Sequence, residues 1–260
     1  MALLAKRQGL PVAAIGVGAE PLRRRSSAWL LRRALGTGTV VTRDEASSAA
    51  LRQAGLAVQT GADVVFGLDL STSPSTDETG EIVVSMGGAV RSGLVSPAAR
   101  RIDAPPLEEM ATAIDLLAER LDARVVLARF RGVRDAEAAT ALRGLLCADV
   151  EVLSADVDEH VRRVCGARLV VSSRYHPLVL AARAGVAAVA VSAQPKVRSL
   201  VAQIDEPWVQ LVESWASLGE WSPVEPSRGG KVLDGLEQVH DALASLVIAA
   251  GGARAERSLG

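Results

Sequence analysis

Apolar residues in this chain come in short unbroken runs, separated by longer stretches in which apolar positions recur at helical spacing. The first run, Pro11-Val12-Ala13-Ala14-Ile15, predicts a buried strand ending at Gly16-Val17-Gly18. Ser26 to Leu35 predicts a helix with a basic outer face, and Thr39 to Thr42 a second strand. Asp44 is placed to cap the next helix and Gly55 to close it. A short acceptor side chain satisfies free N–H groups at a helix start, and glycine tolerates the left-handed turn at a helix end. Val64-Val65-Phe66 is a third short apolar run. The stretch from Ser71 to Gly80 is polar, punctuated by Pro74 and Gly80, without periodicity, and reads as an interdomain linker.

Beyond the linker the alternation becomes more regular. Strands are predicted over Ile82–Met86, Arg124–Ala128, Val150–Leu153, Arg168–Val171 and Ala187–Val191. Helices are predicted over Leu107–Leu121, Asp135–Leu146, Asp156–Cys165, Pro177–Ala184 and Pro195–Ile204. Continuously apolar strands with helices between them imply a parallel sheet covered on both faces, hence a doubly wound α/β domain. Trp208 to Trp221 reads as mixed helix and loop, and Lys231 to Ala249 as a long amphipathic helix. The predicted organisation is a partial N-terminal α/β domain over 1–70, a linker over 71–80, a C-terminal α/β domain with its terminal helix over 81–250, and a frayed tail over 251–260. The first domain holds too few strands for an independent doubly wound unit.

Composition narrows this picture. Of 260 residues, 49% are hydrophobic but only 3% aromatic, so the core must be built from Ala, Val and Leu. The 29 basic and 30 acidic residues nearly cancel, which argues against a dedicated nucleic-acid binder and leaves room for a local basic pocket. The longest apolar stretch, Leu178 to Ala193, is broken by Arg183 and Gly185 and falls short of the ~20 residues of a membrane span. Membrane contact would therefore be peripheral. Cys147 and Cys165 have no Cys-x-x-Cys spacing, giving neither a metal site nor a disulfide framework, and a reduced, cytoplasmic setting is expected.

Ligands of open parallel sheets bind beyond the carboxyl ends of the strands, so the residues after each strand are the candidates. Ser172-Ser173-Arg174-Tyr175-His176-Pro177 follows one of them. Pro177 suits the first helical position, which places Arg174 and His176 at a helix N-terminus, where free N–H groups and the dipole favour an anion. Arginine adds a planar fork for carboxylate or phosphate, and histidine is a proton carrier near neutrality. The competing reading is a surface turn with a solvated arginine and a capping histidine. Lys196 starts a helix at the same sheet edge, either facing an anion or simply solvated. Gly16 and Gly18, and Gly87 with Gly88, let a backbone approach a ligand or make plain turns. Arg43 follows a strand, and Arg91 could bring charge to the cleft near Gly87. Asp44 is a helix cap rather than a catalytic acid, His160 is expected to be solvated, and His240 structural.

The segment from Arg168 to Pro177, continuing through Leu178, Ala181-Ala182 and Gly185-Val186 to Pro195-Lys196, resembles the C-terminal signature of polysaccharide pyruvyl transferases. In that family a strand leads to an Arg-x-His turn, followed by a helix, a glycine, a strand and a lysine. Gly9-Leu10-Pro11-Val12 through Ile15-Gly16-Val17-Gly18 and Pro21-Leu22, Thr42-Arg43-Asp44 with Ser48, Ala62-Asp63 and Asp135 resemble further family segments, in order, over roughly residues 5 to 205. The resemblance implies two Rossmann-like doubly wound domains in a GT-B-like arrangement, with the site in the interdomain cleft. It implies transfer of pyruvyl from phosphoenolpyruvate, a donor substrate rather than a cofactor, to a glycan or lipid-linked sugar of bacterial cell-surface polysaccharide synthesis. A ketal forms and phosphate is released. Arg174 would hold phosphoenolpyruvate and His176 would transfer a proton, with Lys196, Arg43, Gly16, Gly18, Gly87, Gly88 and Arg91 as substrate-binding candidates.

This sequence departs from the family in lacking its Gly-Asn-x-Gly-Asp and Gly-Gly-Gly turns. Gly87 stands where the family commonly has an arginine. Those departures imply an open sheet edge in the first domain, which a homodimer would cover, and they motivate the alternative of a non-catalytic or partner-dependent relative. A sugar-nucleotide epimerase or glycosyltransferase of GT-B-like fold is the remaining alternative.

Overall fold

In the computed structural model of the chain, all nine strands among the described residues run parallel to their neighbours. The described residues are 2–22, 24–67, 80–86, 106–130, 132–224, 239, 241 and 245, with backbone only for 132–134. Gly87, Gly88, Arg91, His240, the linker apart from Gly80, and the tail 251–260 lie outside them. The chain divides into two units, Met1–Leu68 with Val232–Gly260, and Asp69–Lys231. No described helix is long and apolar enough to cross a membrane.

The first unit holds strands β1 (Ala13–Val17), β2 (Thr39–Thr42) and β3 (Gln59–Thr60) in that order. Helices α1 (Ala2–Arg7), α2 (Arg25–Leu35) and α3 (Glu45–Gln53) lie between and before them in the chain. Val40, Leu51 and Leu56 form the core, with Leu31, Leu35, Ala14 and Val17 packed against it. β1 starts later than expected, because Pro11 has no N–H to give a ladder. It continues through Gly16, whose φ of +64° coincides with the register break between Ala14 and Val17. A Cβ at Gly16 would stand 2.7 Å from Val64 Cγ1, so backbone conformation and close packing both require glycine there. The apolar run Val64-Val65-Phe66 is a short 3-10 helix, Val64–Gly67, and the third strand precedes it. Asp44 caps α3 as expected, its Oδ1 accepting from Ser47 N at 2.7 Å.

The second unit holds a sheet ordered β6-β5-β4-β7-β8-β9. These are β4 (Glu81–Ser85), β5 (Arg124–Leu127), β6 (Val150–Val152), β7 (Leu169–Ser172), β8 (Ala188–Val191) and β9 (Val209–Val212). The order is that of a doubly wound fold, reversing direction between β4 and β7. Helices α4 (Leu107–Leu121), α5 (Gly132–Arg143), α6 (Val157–Cys165), α7 (Tyr175–Ala184) and α8 (Pro195–Ile204) connect the strands. β4, β7 and β8 are buried along their whole length, which is why they read as unbroken apolar runs. Ile114 and Leu117 of α4 pack with Val84, Leu127 and Val171, and Trp215 and Trp221 supply aromatic bulk to a core otherwise built from aliphatic residues and methionine. β9 was not expected: the segment read as mixed helix and loop supplies an edge strand, half-buried beyond Val209, and then a 3-10 helix, Ala216–Gly219. At the amino end of the sheet, Arg163 bridges Glu81 (3.0 Å) and Glu151 (2.7 Å), tying α6 to β4 and β6.

Two predictions concern the first unit. Gly16→Ala is expected to cost about 1–3 kcal/mol in urea unfolding, from backbone strain and the Val64 clash. As a control in the second unit, Gly144→Ala, whose Cβ would meet nothing nearer than 3.5 Å, should leave the midpoint nearly unchanged. The second concerns Glu45, which is exposed but accepts from Thr60 Oγ1 at 2.6 Å and from Arg52 Nη1 at 2.7 Å. The Thr60 bond first, and then the Arg52 bond, lower its carboxyl below the ordinary 4.5. A lowered carboxyl stabilises the fold above its unfolded value, and that stabilisation is lost as pH falls through the folded value. Glu45→Gln should therefore destabilise at neutral pH and match wild type at strongly acidic pH in parallel melts.

Candidate functional site

Strands β4 and β7 end in register, Ser85 beside Ser172, at the point where the strand order reverses. The chain leaving β7 is fastened to β4 at once. Ser173 N donates to Ser85 O at 3.0 Å. The Ser172 hydroxyl lies within reach of the carbonyls of Ser85 (3.1 Å) and Arg174 (3.0 Å), and it accepts from Arg174 N at 2.9 Å. Arg174 is thereby fixed as the N-cap of α7, with extended backbone. Ser85 Oγ, fully buried, has no hydrogen-bond partner among the described residues.

The helix begins two residues earlier than the sequence suggested. Tyr175 is its first residue, His176 its second and Pro177 its third. Proline is tolerated there because N–H groups of the first turn have no intrahelical acceptor. Arg174 donates through Nη2 to Asp135 Oδ1 on α5. The arginine side chain is 22% exposed and the aspartate 1%, so a partly accessible cation rests on a buried carboxylate. Arg174 Nε is buried without a hydrogen-bond partner among the described residues. His176 is exposed on the first turn, its ring edge-on to buried Tyr175 at 5.6 Å. Lys196 is exposed at the second position of α8, which follows β8, the strand next to β7. The second unit therefore brings Arg174, His176 and Lys196 to the carboxyl edge of adjacent strands.

Asp135 was legible in part. It shares the inner stripe of α5 with buried Ala139 and Leu142, four and seven residues on, so an acid stands where the helix pattern calls for an apolar residue. His160 is not solvated as expected but buried on the inner face of α6. Its Nε2 accepts from Arg129 N at 2.9 Å, so Nδ1 carries the proton facing Asp156 O at 2.5 Å. With Phe130 edge-on at 5.0 Å, it anchors the turn after β5.

In the first unit, Arg43 leaves β2 and has internal partners. Its Nε contacts Asp44 Oδ2 at 3.2 Å and its Nη1 lies 3.9 Å from Asp63 Oδ2, both aspartates being buried. A Cβ at Gly18 would stand 2.6 Å from the Arg43 guanidinium carbon, so glycine at 18 makes room for this arginine. Gly16 has its own reason in Val64. Gly87, Gly88 and Arg91 lie outside the described residues. Among the described residues no cluster of His, Cys, Asp or Glu could hold a metal ion.

A family model described as polysaccharide pyruvyl transferase matches residues 1–195, a range that contains Arg43, Asp135, Arg174 and His176. No curated protein sequence matches the chain. Among solved structures the chain is similar to the UDP-GlcNAc 2-epimerase of Methanocaldococcus jannaschii in complex with UDP-GlcNAc and UDP: TM-score 0.63, 11% identity, 95% of this chain and 71% of that one. The Neisseria meningitidis UDP-GlcNAc 2-epimerase bound to UDP-GlcNAc gives a TM-score of 0.58 at 12% identity, over 95% and 72%. Anabaena Alr3699/HepE in complex with UDP and glucose gives 0.55 at 14%, over 96% and 67%. At these identities the likeness concerns fold alone, and the fold class expected from the sequence, α/β with parallel sheets, is the one shared with these GT-B-fold neighbours.

Removing Asp135 would leave Arg174 half-sunk without its carboxylate, so Asp135→Ala is expected to cost about 3 kcal/mol in urea unfolding. In a double-mutant cycle with Arg174→Ala the coupling should be about 1–3 kcal/mol. Losses that simply add would refute the pairing as a determinant of the turn.

Proposed function

This chain belongs to the polysaccharide pyruvyl transferase family, and from that premise we propose that it moves a pyruvyl group from phosphoenolpyruvate to a sugar of a cell-surface polysaccharide or glycan precursor. The observation that carries this reading is the Arg174 turn. A guanidinium seated on a buried carboxylate begins a helix at the reversal of a parallel sheet. Such a place favours an anionic ligand through the helix dipole, through free N–H groups and through a donor fork.

The chemistry needs what that turn offers. One sugar hydroxyl adds to C2 of the enol phosphate while the methylene carbon takes up a proton, giving a ketal phosphate. A second hydroxyl then displaces phosphate at the same carbon and closes the cyclic ketal. Each hydroxyl gives up one proton, so one is delivered to carbon and one leaves with phosphate or solvent. Arg174 binds the donor's carboxylate or phosphate, and Lys196 adds positive charge at the same sheet edge. His176, exposed one position inside the helix, is the group we assign to proton transfer. Asp135 positions Arg174 and does not react. The likeness to UDP-GlcNAc 2-epimerases extends to fold and gives this chain no nucleotide site.

The test is phosphate release and ketal formation from phosphoenolpyruvate with a panel of sugar acceptors. Arg174→Ala should raise the KM for phosphoenolpyruvate and lower kcat/KM by at least about 100-fold, roughly 2.7 kcal/mol of lost transition-state stabilisation. His176→Ala should lower kcat by about 10²–10⁴-fold with the fold intact. Turnover undiminished in His176→Ala, or no turnover across the panel, would overturn the reading.

A further inference from the structure

The balanced total charge hides a one-sided distribution. Residues 1–42 carry seven basic side chains and one acidic, a net of +6, which leaves −7 on the remaining 218 residues of a chain whose total is −1. Most of that positive charge sits on or beside α1 and α2. The inner face of α2 sets Leu31 and Leu35 against the first unit's core, yet no residue of the helix is fully buried.

Its outer face is not the polar surface expected of such a helix. Trp29 is 56% exposed and Leu30 50%, whereas Trp208, Trp215 and Trp221 are all buried. Arg25 and Arg33 stand four residues before and after Trp29, one turn away on the same face. The Arg33 guanidinium carbon lies 5.8 Å from the Trp29 ring centroid. α1 lies alongside, Lys6 Nζ donating to Arg33 O at 3.2 Å, and it adds Leu4, 54% exposed. None of the basic side chains of α1 and α2 forms an ion pair among the described residues.

We propose that the outer face of α2, with Leu4 of α1, docks on an anionic phospholipid surface. Scattered exposed leucines need no explanation, but an exposed indole with an arginine one turn to either side, Leu30 next to it and Leu4 exposed on the adjoining helix, has the composition of an interfacial helix. Indole and leucine enter the headgroup boundary while the arginines meet lipid phosphates at the same depth. A nucleic acid would satisfy the arginines and leave Leu4 and Leu30 in water. A second copy would bring one positive face against another. This inference does not depend on the reaction proposed above.

The experiment mixes the full chain with vesicles of phosphatidylcholine alone, or of phosphatidylcholine with phosphatidylglycerol, and sediments them. The chain should sediment with the phosphatidylglycerol vesicles, stay in solution with phosphatidylcholine alone, and be released by salt. Emission should shift to the blue on binding and be quenched by brominated phosphatidylglycerol, reporting Trp29 because the other three indoles are already buried. Arg25→Gln with Arg33→Gln should lower the partition coefficient at least tenfold, and Trp29→Ser should abolish the blue shift. Both changes fall on exposed side chains and should keep the wild-type melting temperature. Several results would each overturn the proposal: no sedimentation with phosphatidylglycerol at low salt, sedimentation unaffected by the substitutions, lipid-free dimerisation that buries Trp29, or an emission shift with an oligonucleotide but not with vesicles.

Discussion

In a parallel sheet that winds outward from its middle in both directions, the two central strands send their following helices to opposite faces, and a crevice opens between them at their carboxyl ends. β4 and β7 are those strands here. The pairing of Ser85 with Ser172, and the bond from Ser173 N back to Ser85 O, fix where the chain leaves the sheet. Arg174 follows within two residues, so the position of the cation is set by the strand ladder rather than by a flexible loop. Without that ladder, neither the helix start nor the arginine would be aimed at the crevice.

A cation placed so deep needs a counter-charge, and Asp135 supplies it from a neighbouring connection. The pair has an asymmetry that suits binding: the carboxylate is hidden while the guanidinium keeps part of its surface open. Hydrogen-bonding capacity remains at Arg174 Nε and Ser85 Oγ, which find no hydrogen-bond partners among the described residues. The amino end of the same sheet is built differently. There Arg163 and Arg124 are met by Glu81, Glu151 and Asp149, so the cations are spent on tying strands and helix together. The two ends thus differ: at the amino end several cations are shared among carboxylates, while at the carboxyl end a single partly exposed arginine rests on one buried aspartate.

The first unit follows the same logic on a smaller scale. Arg43 also leaves the carboxyl end of a strand, but two buried aspartates and the space above Gly18 accommodate it from within. Its helix α2 keeps basic and aromatic groups on the outside, where the basic side chains form no ion pair among the described residues.

The sequence by itself determined the strand–helix alternation, the parallel character of the sheets and the place of the Arg174 turn, because buried parallel strands leave unbroken apolar runs and caps leave short polar residues. α4 and α8 were legible to the residue, Leu107–Leu121 and Pro195–Ile204, since proline precedes or opens each and periodicity fills the rest. Family motifs along the chain made Arg174 and His176 stand out among many basic residues. Only the tertiary structure decided what each polar group touches. It buried His160 against the turn after β5, where periodicity alone had left a charged helix looking solvated. It turned the third apolar run into a 3-10 helix and an apparent loop into strand β9, because an edge strand of four residues needs a neighbour before it has a pattern. It gave Gly16 and Gly18 internal reasons in Val64 and Arg43, and it paired Arg174 with Asp135 across 39 residues of chain. Local patterns record which side of an element is buried, but contacts between elements are fixed by packing, and no single stretch of sequence contains both partners.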